Sequence, residues 1–378
     1  MRTSYLVRAA GAAACVLSLM LLFAGCGSGQ VAWTRVLDLG GDDVAAALDG
    51  NGSELVLLAT SFTGERAAWQ VARFATDGRE LWRRQYRQGE FSVAGDIALD
   101  SAGGIYATGT SRIDGREMCV VVHYRRDGII AWQRALAVGE AAAGRGIALG
   151  PDRVYVTGWT RAKDRRELLL VALEPDGSTA WTRNWRLGDL AAGERLALDP
   201  KGDIVLSGIA GTAENPDILL AKFNPKGDTL WTRVYDGGGE DRPGRVTTDP
   251  YGHLLATGTA LTPEGPRCVI LEYHPDGELI RRAAYGERAT AEGHGIAVTP
   301  KGDVFLCGSL VAETERSLLA FHYRPQATSV WERSWRTGAD VAGADLVVAD
   351  DVFALGTVGD RDRGRDVALV RFTRPEAE

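Results

Sequence analysis

Cysteine is scarce and unpatterned: five occur in 378 residues, and no CxxC or other metal-ligand spacing joins them. Cys119, Cys268 and Cys307 lie inside apolar runs and are expected to be buried free thiols. After Ala24 no apolar stretch approaches the roughly 20 residues that a bilayer span needs, so the remainder is expected to be soluble. A basic run is missing too. The formal charge is −7, and discounting residues 1–25, which hold Arg2 and Arg8 and no acid, makes it −9. Phosphate recognition needs concentrated positive charge, so nucleic acid is excluded as the main partner. No phosphate-binding glycine loop, HExxH or Gly-x-Ser-x-Gly occurs, and no acid–base pair stands out. The expectation is therefore no enzyme, no cofactor and no metal.

What is present begins with an export signal. Arg2 and Arg8 precede the apolar Ala9–Ala24, and the segment closes on Leu22-Phe23-Ala24-Gly25-Cys26. That ending resembles the lipobox of bacterial lipoproteins, which implies cleavage after residue 25 and acylation of Cys26; Phe23 stands where leucine is usual. Several acyl chains on one residue anchor a protein stably, whereas one chain does not. Gly27 follows the cysteine with no acidic retention signal, which favours the outer membrane in a cell with two. The expected organisation is a signal peptide at 1–25, a lipidated cysteine and tether at 26–30, one domain at 31–374 and a tail at 375–378.

The domain is a repeat of about fifty residues. Trp33, Trp82, Trp132, Trp181, Trp231 and Trp331 fall at steps of 49 or 50, with one double step across Arg281. Four apolar runs recur around these anchors. Run A is short, as in Asp96-Ile97-Ala98-Leu99. Run B commonly ends in glycine (Gly109, Gly158, Gly208), and run C commonly on an aromatic (Phe74, Tyr124, Phe223). Run D carries the tryptophan after a turn such as Asp176-Gly177. Short runs bounded by Gly, Pro and Asp are strands, and Asp-Gly between C and D is a hairpin signal. Runs A, B and C each occur seven times. Run D follows C six times and stands once alone, at Val31–Arg35, before the first A. The expectation is an all-β fold, a seven-bladed β-propeller of four-stranded antiparallel blades, closed by the N-terminal strand completing the last blade.

Two residues after each tryptophan comes an arginine: Arg35, Arg84, Arg134, Arg183, Arg233 and Arg333. In the sixth unit Arg281 and Ala283 replace both together. Alternation puts the pair on one strand face, so guanidinium is expected over indole as a structural contact. The Trp-x-Arg element, turns such as Asp199-Pro200-Lys201-Gly202-Asp203, B runs ending in Thr-Gly and Asp-Gly-x-x-x-Trp together resemble the bacterial SBBP repeat. That resemblance covers Val31 to about Arg374. It implies a seven-bladed propeller and an exported protein, and leaves the function open. A looser similarity links the chain to quinoprotein-like propellers, which include outer-membrane assembly lipoproteins.

Among polar residues, His123 and His322 occupy a C-run column that elsewhere holds Arg73, Lys222, Glu272 or Arg371, and a column tolerating both signs reads as solvated. Aspartates in the A–B turns read as backbone-capping residues, since no single turn supplies enough oxygens for calcium. The column opening run A varies most: Asp96, Arg195, Arg245 and Asp345, with His294 one position earlier in its unit. These five are expected to ring one mouth of an axial channel and to form the candidate ligand site. The charged B–C loops share that face. The functional expectation is a non-enzymatic, membrane-anchored scaffold or binding module for a protein, peptide or glycan on the D–A/B–C face. Alternatives are an outer-membrane assembly accessory or an envelope enzyme with a channel-mouth site.

Overall fold

The computed structural model describes residues 31–163, 165–285, 290–312, 315–324, 331–360 and 364–374. Cys26 and the signal lie outside the described residues. The described chain is all β, with 28 strands and no helix among the described residues.

Strand β1 (Val31–Leu37) precedes a first sheet of β2 (Asp42–Gly50), β3 (Glu54–Thr63), β4 (Arg66–Ala75) and β5 (Glu80–Tyr86). The next sheet holds β6 (Phe91–Leu99), β7 (Ile105–Ile113), β8 (Arg116–Tyr124) and β9 (Ile130–Leu136). Strands β10 (Ala141–Leu149), β11 (Val154–Ala162), β12 (Arg165–Leu173) and β13 (Thr179–Trp185) form one antiparallel meander. Strands β14 (Leu190–Leu198), β15 (Ile204–Gly211), β16 (Pro216–Phe223) and β17 (Thr229–Tyr235) form another. A single parallel bridge, Arg166 to Leu190, joins these two into one sheet. Then come β18 (Asp241–Thr248), β19 (Leu254–Thr262), β20 (Gly265–Tyr273) and β21 (Leu279–Tyr285), followed by β22 (Thr290–Val298), β23 (Val304–Val311), β24 (Arg316–Tyr323) and β25 (Trp331–Trp335). The last sheet comprises β26 (Asp340–Val348), β27 (Val352–Asp360), β28 (Gly364–Phe372) and β1. Strand β1 runs antiparallel to β28, with Val31 opposite Phe372 and Trp33 opposite Arg371.

Each sheet is apolar on both faces, so its core forms against its neighbours. Val56, Leu58, Val71 and Trp69 pack with Ile97, Ala107, Val120 and Val122 of the following sheet. Leu355, Leu369 and Phe353 pack in the same way with Leu48, Leu55 and Leu57, bringing the last sheet against the first. The A strands lie side by side, each against the next, and β26 lies against β2.

Every A strand begins earlier than the hydrophobic pattern indicates and carries a bulge. Its pairing with strand B slips once, between Ala45 and Ala47, Ala94 and Asp96, Gly144 and Gly146, Gly193 and Arg195, Pro243 and Val246, Gly293 and Gly295, and Gly343 and Asp345. Neighbouring backbones crowd here: a Cβ on Gly95 would sit 2.7 Å from the Gly144 carbonyl oxygen. A bulge re-aims the following side chain, and here it turns Asp96, Arg195, Arg245 and Asp345 toward one another's strands.

On the outer strands the Trp–Arg pairing holds in all six instances, with each guanidinium carbon 5.3–5.7 Å from the indole centroid. The pair also reaches the C–D turn of the next sheet. Trp132 Nε1 donates to the Pro175 carbonyl at 3.0 Å, and Arg134 Nε donates to the Gly177 carbonyl at 3.1 Å. Trp33 with Thr76 and Trp231 with Pro275 repeat the contact. Gly177, at φ +82°, lies flat on the Trp132 ring, where a Cβ would come within 2.8 Å. The glycine is the third member of the clamp. In the sixth unit, where Arg281 and Ala283 replace the pair, the sequence between the next C and D runs, 325–330, holds no glycine.

Candidate functional site

The five candidate residues do not ring an open mouth. Asp96 is the sixth residue of β6 and Asp345 the sixth of β26, so both lie mid-strand, below the strand entrances. Both are buried, with side chains 0% and 1% exposed. Arg245 reaches from β18 to both. Its Nε donates to Asp345 Oδ1 at 2.8 Å and its Nη2 to Asp96 Oδ1 at 2.9 Å, with a further short contact to Asp345 Oδ2. Burial works against the guanidinium's charge, but Asp345 and Asp96 hold it firmly protonated.

The carboxylates have backbone partners as well. Asp345 Oδ2 accepts from the Leu48 amide at 2.9 Å, and Asp96 Oδ2 from the Ile147 amide at 3.2 Å. Asp49, which sequence reasoning passed over, accepts from the Leu99 amide at 2.7 Å; burial pushes its carboxyl up to about 6. Arg195 spends its donors on carbonyls, those of Arg145 (3.1 Å), Glu194 (3.2 Å) and Ala46 on β2 (3.2 Å). His294 lies apart from this cluster, 3.6 Å from Glu292, whose other oxygen pairs with Arg316 at 3.0 Å. Side chains from β6, β18 and β26 thus form one ion-paired knot, and β14 reaches across to β2. The knot fastens strands far apart in sequence; its polar groups are already engaged with one another.

The C-strand column holding His123 and His322 is not solvated. Arg73 is 1% exposed, pairs with Glu54 at 2.5 Å and donates to the Gly103 carbonyl at 2.8 Å. Lys222 is 3% exposed and meets Asp199 at 2.8 Å. Arg371 meets Asp351 at 2.6 Å, and His322 stacks on Phe305 with Asp303 3.4 Å away. Both signs occur because Arg73, Lys222 and Arg371 each meet an acid of their own A–B turn, whereas Glu272 faces Arg281 of its D strand at 3.7 Å, pairings invisible within one column. The capping role of the turn aspartates holds alongside: Asp199 Oδ1 accepts from the amides of Lys201 and Asp203 at 2.8 and 2.9 Å. Burial lowers the pKa of His123 and of His322, which favours neutral rings.

A shallow cavity of about 320 Å³ opens on the A–B turn face, lined by Asp199, Pro200, Thr248, Asp249, Thr299 and Pro300 among others. A second, of about 150 Å³, lies between the β18–β21 and β22–β25 sheets beside Asp303 and His322. The sequence reading had placed no site on that face.

No protein-family model matches the sequence, and no curated protein matches it. Solved structures do. A polysaccharide lyase described as an ulvan lyase superposes with a TM-score of 0.60 at 12% identity, covering 88% of this chain and 95% of that one. A puromycin hydrolase matches with a TM-score of 0.56 at 16% identity. A puromycin-hydrolysing peptidase of Mycobacterium tuberculosis matches with a TM-score of 0.52 at 16% identity. This chain spans about half the length of each of the two hydrolases (55% and 53%). At such identity the likeness shows the fold, which is all-β and propeller-like. It also corrects the expectation that the chain is not an enzyme. Proteins that contain this kind of fold include a lyase and, over about half of their length, peptidases, so the fold does not exclude activity, which depends on the residues grafted on it.

Proposed function

We propose that the sheets are the blades of a seven-bladed β-propeller of SBBP type, closed by β1 on β28, and that the protein is an envelope lipoprotein anchored through Cys26. In this reading it holds a protein, peptide or glycan on its D–A/B–C loop face. The pairing of Val31 with Phe372 and the packing of β26 beside β2 support closure. The binding reading rests on the difference between the two ends of the strands. The turn end repeats one clamp from unit to unit, with its tryptophan, arginine and glycine committed to internal contacts. The loop end varies in length and charge, as in Arg161–Arg166, and exposed loops on a rigid frame are common binding surfaces. The knot around Arg245 consumes its own charges, so the contacts available to a ligand fall to the loops.

Only residues 27–30 separate Cys26 from β1, a reach of about 14 Å at full extension. Because β1 starts opposite Phe372, at the turn end, that end faces the membrane and the loops face away. In cells of two membranes the outer one is the expected site. A photo-crosslinking residue placed at Arg166, and separately at Asp176, tests the arrangement in intact envelopes. Defined crosslinked products from Arg166 and none from Asp176 are expected. Equal products from both positions, or membrane retention of a Cys26→Ser variant, would overturn the reading.

A further inference from the structure

Two trios of aspartates remain outside everything described above. Asp38, Asp43 and Asp366 form one, and Asp217, Asp236 and Asp241 the other. In each, one oxygen from every residue lies within 4.8 Å of the others. Each trio is assembled from three segments: the start of one C strand, the D–A crossing, and the start of the next sheet's A strand.

The trios occupy equivalent positions. Asp366 and Asp217 stand six residues before the aromatics Phe372 and Phe223; Asp38 and Asp236 stand five residues after Trp33 and Trp231; Asp43 and Asp241 stand ten after the same tryptophans. In the other five units these three columns hold fifteen residues, of which one, Glu167, is acidic. Glu167 is neutralised by Arg186, the residue of the crossing column in its own unit, at 2.7 Å. The three aspartates therefore occur together or not at all. Within each crossing, Asp38 and Asp236 cap the turn by accepting the Gly40 and Gly238 amides at 2.8 Å, but that role does not call for Asp366 and Asp217, which come from a different strand; a shared ligand requires all three at once.

A second observation points the same way. Asp43 and Asp241 are both 0% exposed. Each uses Oδ2 to accept a backbone amide at 2.6 Å, from Leu39 and Gly237, and each has its Oδ1 buried without a well-formed hydrogen bond, the Ser61 hydroxyl being the one side-chain donor near Asp43. Asp217 Oδ1 is buried and unpartnered as well. An orphaned carboxylate oxygen is costly unless something positive or protic meets it. Among the described residues, no lysine or arginine forms an ion pair with any of the six. Burial raises the pKa of Asp43, Asp217, Asp241 and Asp366, and the other members of each trio push in the same direction. Gly237 keeps the second site clear, since a Cβ there would sit 2.6 Å from Asp241 Oδ1.

We propose that each trio binds one calcium ion, in the same way in both units. The donors are carboxylates alone, which select a hard cation over zinc or copper. Three oxygens no more than 4.8 Å apart can share a centre no more than about 2.8 Å from any of them, which is within reach of calcium–oxygen bonds of 2.3–2.6 Å. Magnesium keeps several waters and uses one or two carboxylates, whereas calcium accepts more in flexible geometry. Asp38 and Asp236 are exposed and provide the entry path; water completes the shell. The ions do structural work on the loop face. One ties β28 to β2 across the meeting of the chain's two ends, and the other ties β16 to β18.

Calorimetric titration of the chelator-stripped full-length protein with calcium chloride tests this, using Asp43→Asn, Asp241→Asn and the double variant. Two calcium ions per chain are expected for the wild type, one for each single variant and none for the double variant. Calcium should raise the wild-type Tm and leave that of the double variant unmoved. In chelator the double variant should melt no lower than the wild type, because the orphaned carboxylates have been neutralised, and that measurement establishes that it folds. An unchanged stoichiometry in the variants, no calcium binding by the wild type, or tighter binding of magnesium would overturn the proposal.

Discussion

The inner A strands and the outer D strands are held by opposite strategies. Among the A strands a knot gathers Arg245, Asp96 and Asp345 from three distant sheets, and among the described residues no other unit has a copy of it. Along the D strands one small clamp of indole, guanidinium and glycine recurs from sheet to sheet. A knot that occurs once has no substitute, whereas a clamp that occurs many times divides the load. Damage to the first should spread, and damage to the second should stay local.

The largest effect belongs to the knot. Arg245→Met leaves Asp96 and Asp345 buried without their cation, and breaking such a pair costs about 3–5 kcal/mol. Urea unfolding should show that loss; a change below about 1 kcal/mol would mean that the knot is dispensable. The clamp should respond more mildly, in a way that isolates the indole. Gly177 and Gly202 share φ +82°, but a Cβ on Gly177 meets Trp132 while one on Gly202 meets nothing within 4 Å. Alanine at Gly202 should cost roughly 1–2 kcal/mol from the left-handed backbone alone. At Gly177 overpacking against the ring should add about 1–3 kcal/mol, and equal losses at the two sites would remove the ring from the account. The smallest effect is the cation–π term itself. A double-mutant cycle of Trp82→Ala with Arg84→Ala should give a coupling of roughly 0.5–2 kcal/mol, and strict additivity would refute the pairing.

What could be read in advance follows the same division. The clamp's tryptophan and arginine were legible because repetition exposed them as columns; its glycine was read only as a turn signal. The knot's members were singled out, but as an open mouth. The bulge that sinks Asp96 and Asp345 into the strands leaves no trace in hydrophobic periodicity. The histidine column looked solvated because Arg73 and Glu54, or Lys222 and Asp199, meet from different strands and turns. The aspartate trios leave no motif, because their members come from three segments and no single turn holds all three.

The sequence by itself determined the strands, their grouping in fours and the repeated contacts between adjacent units, because these depend on local alternation and a fixed fifty-residue offset. Only the tertiary structure decided which charges meet. Arg245 and Asp96 are 149 residues apart, and Asp38 and Asp366 lie near opposite ends of the chain. Charges buried from water find whichever partner the packing of distant strands brings near, and no offset along the chain encodes that.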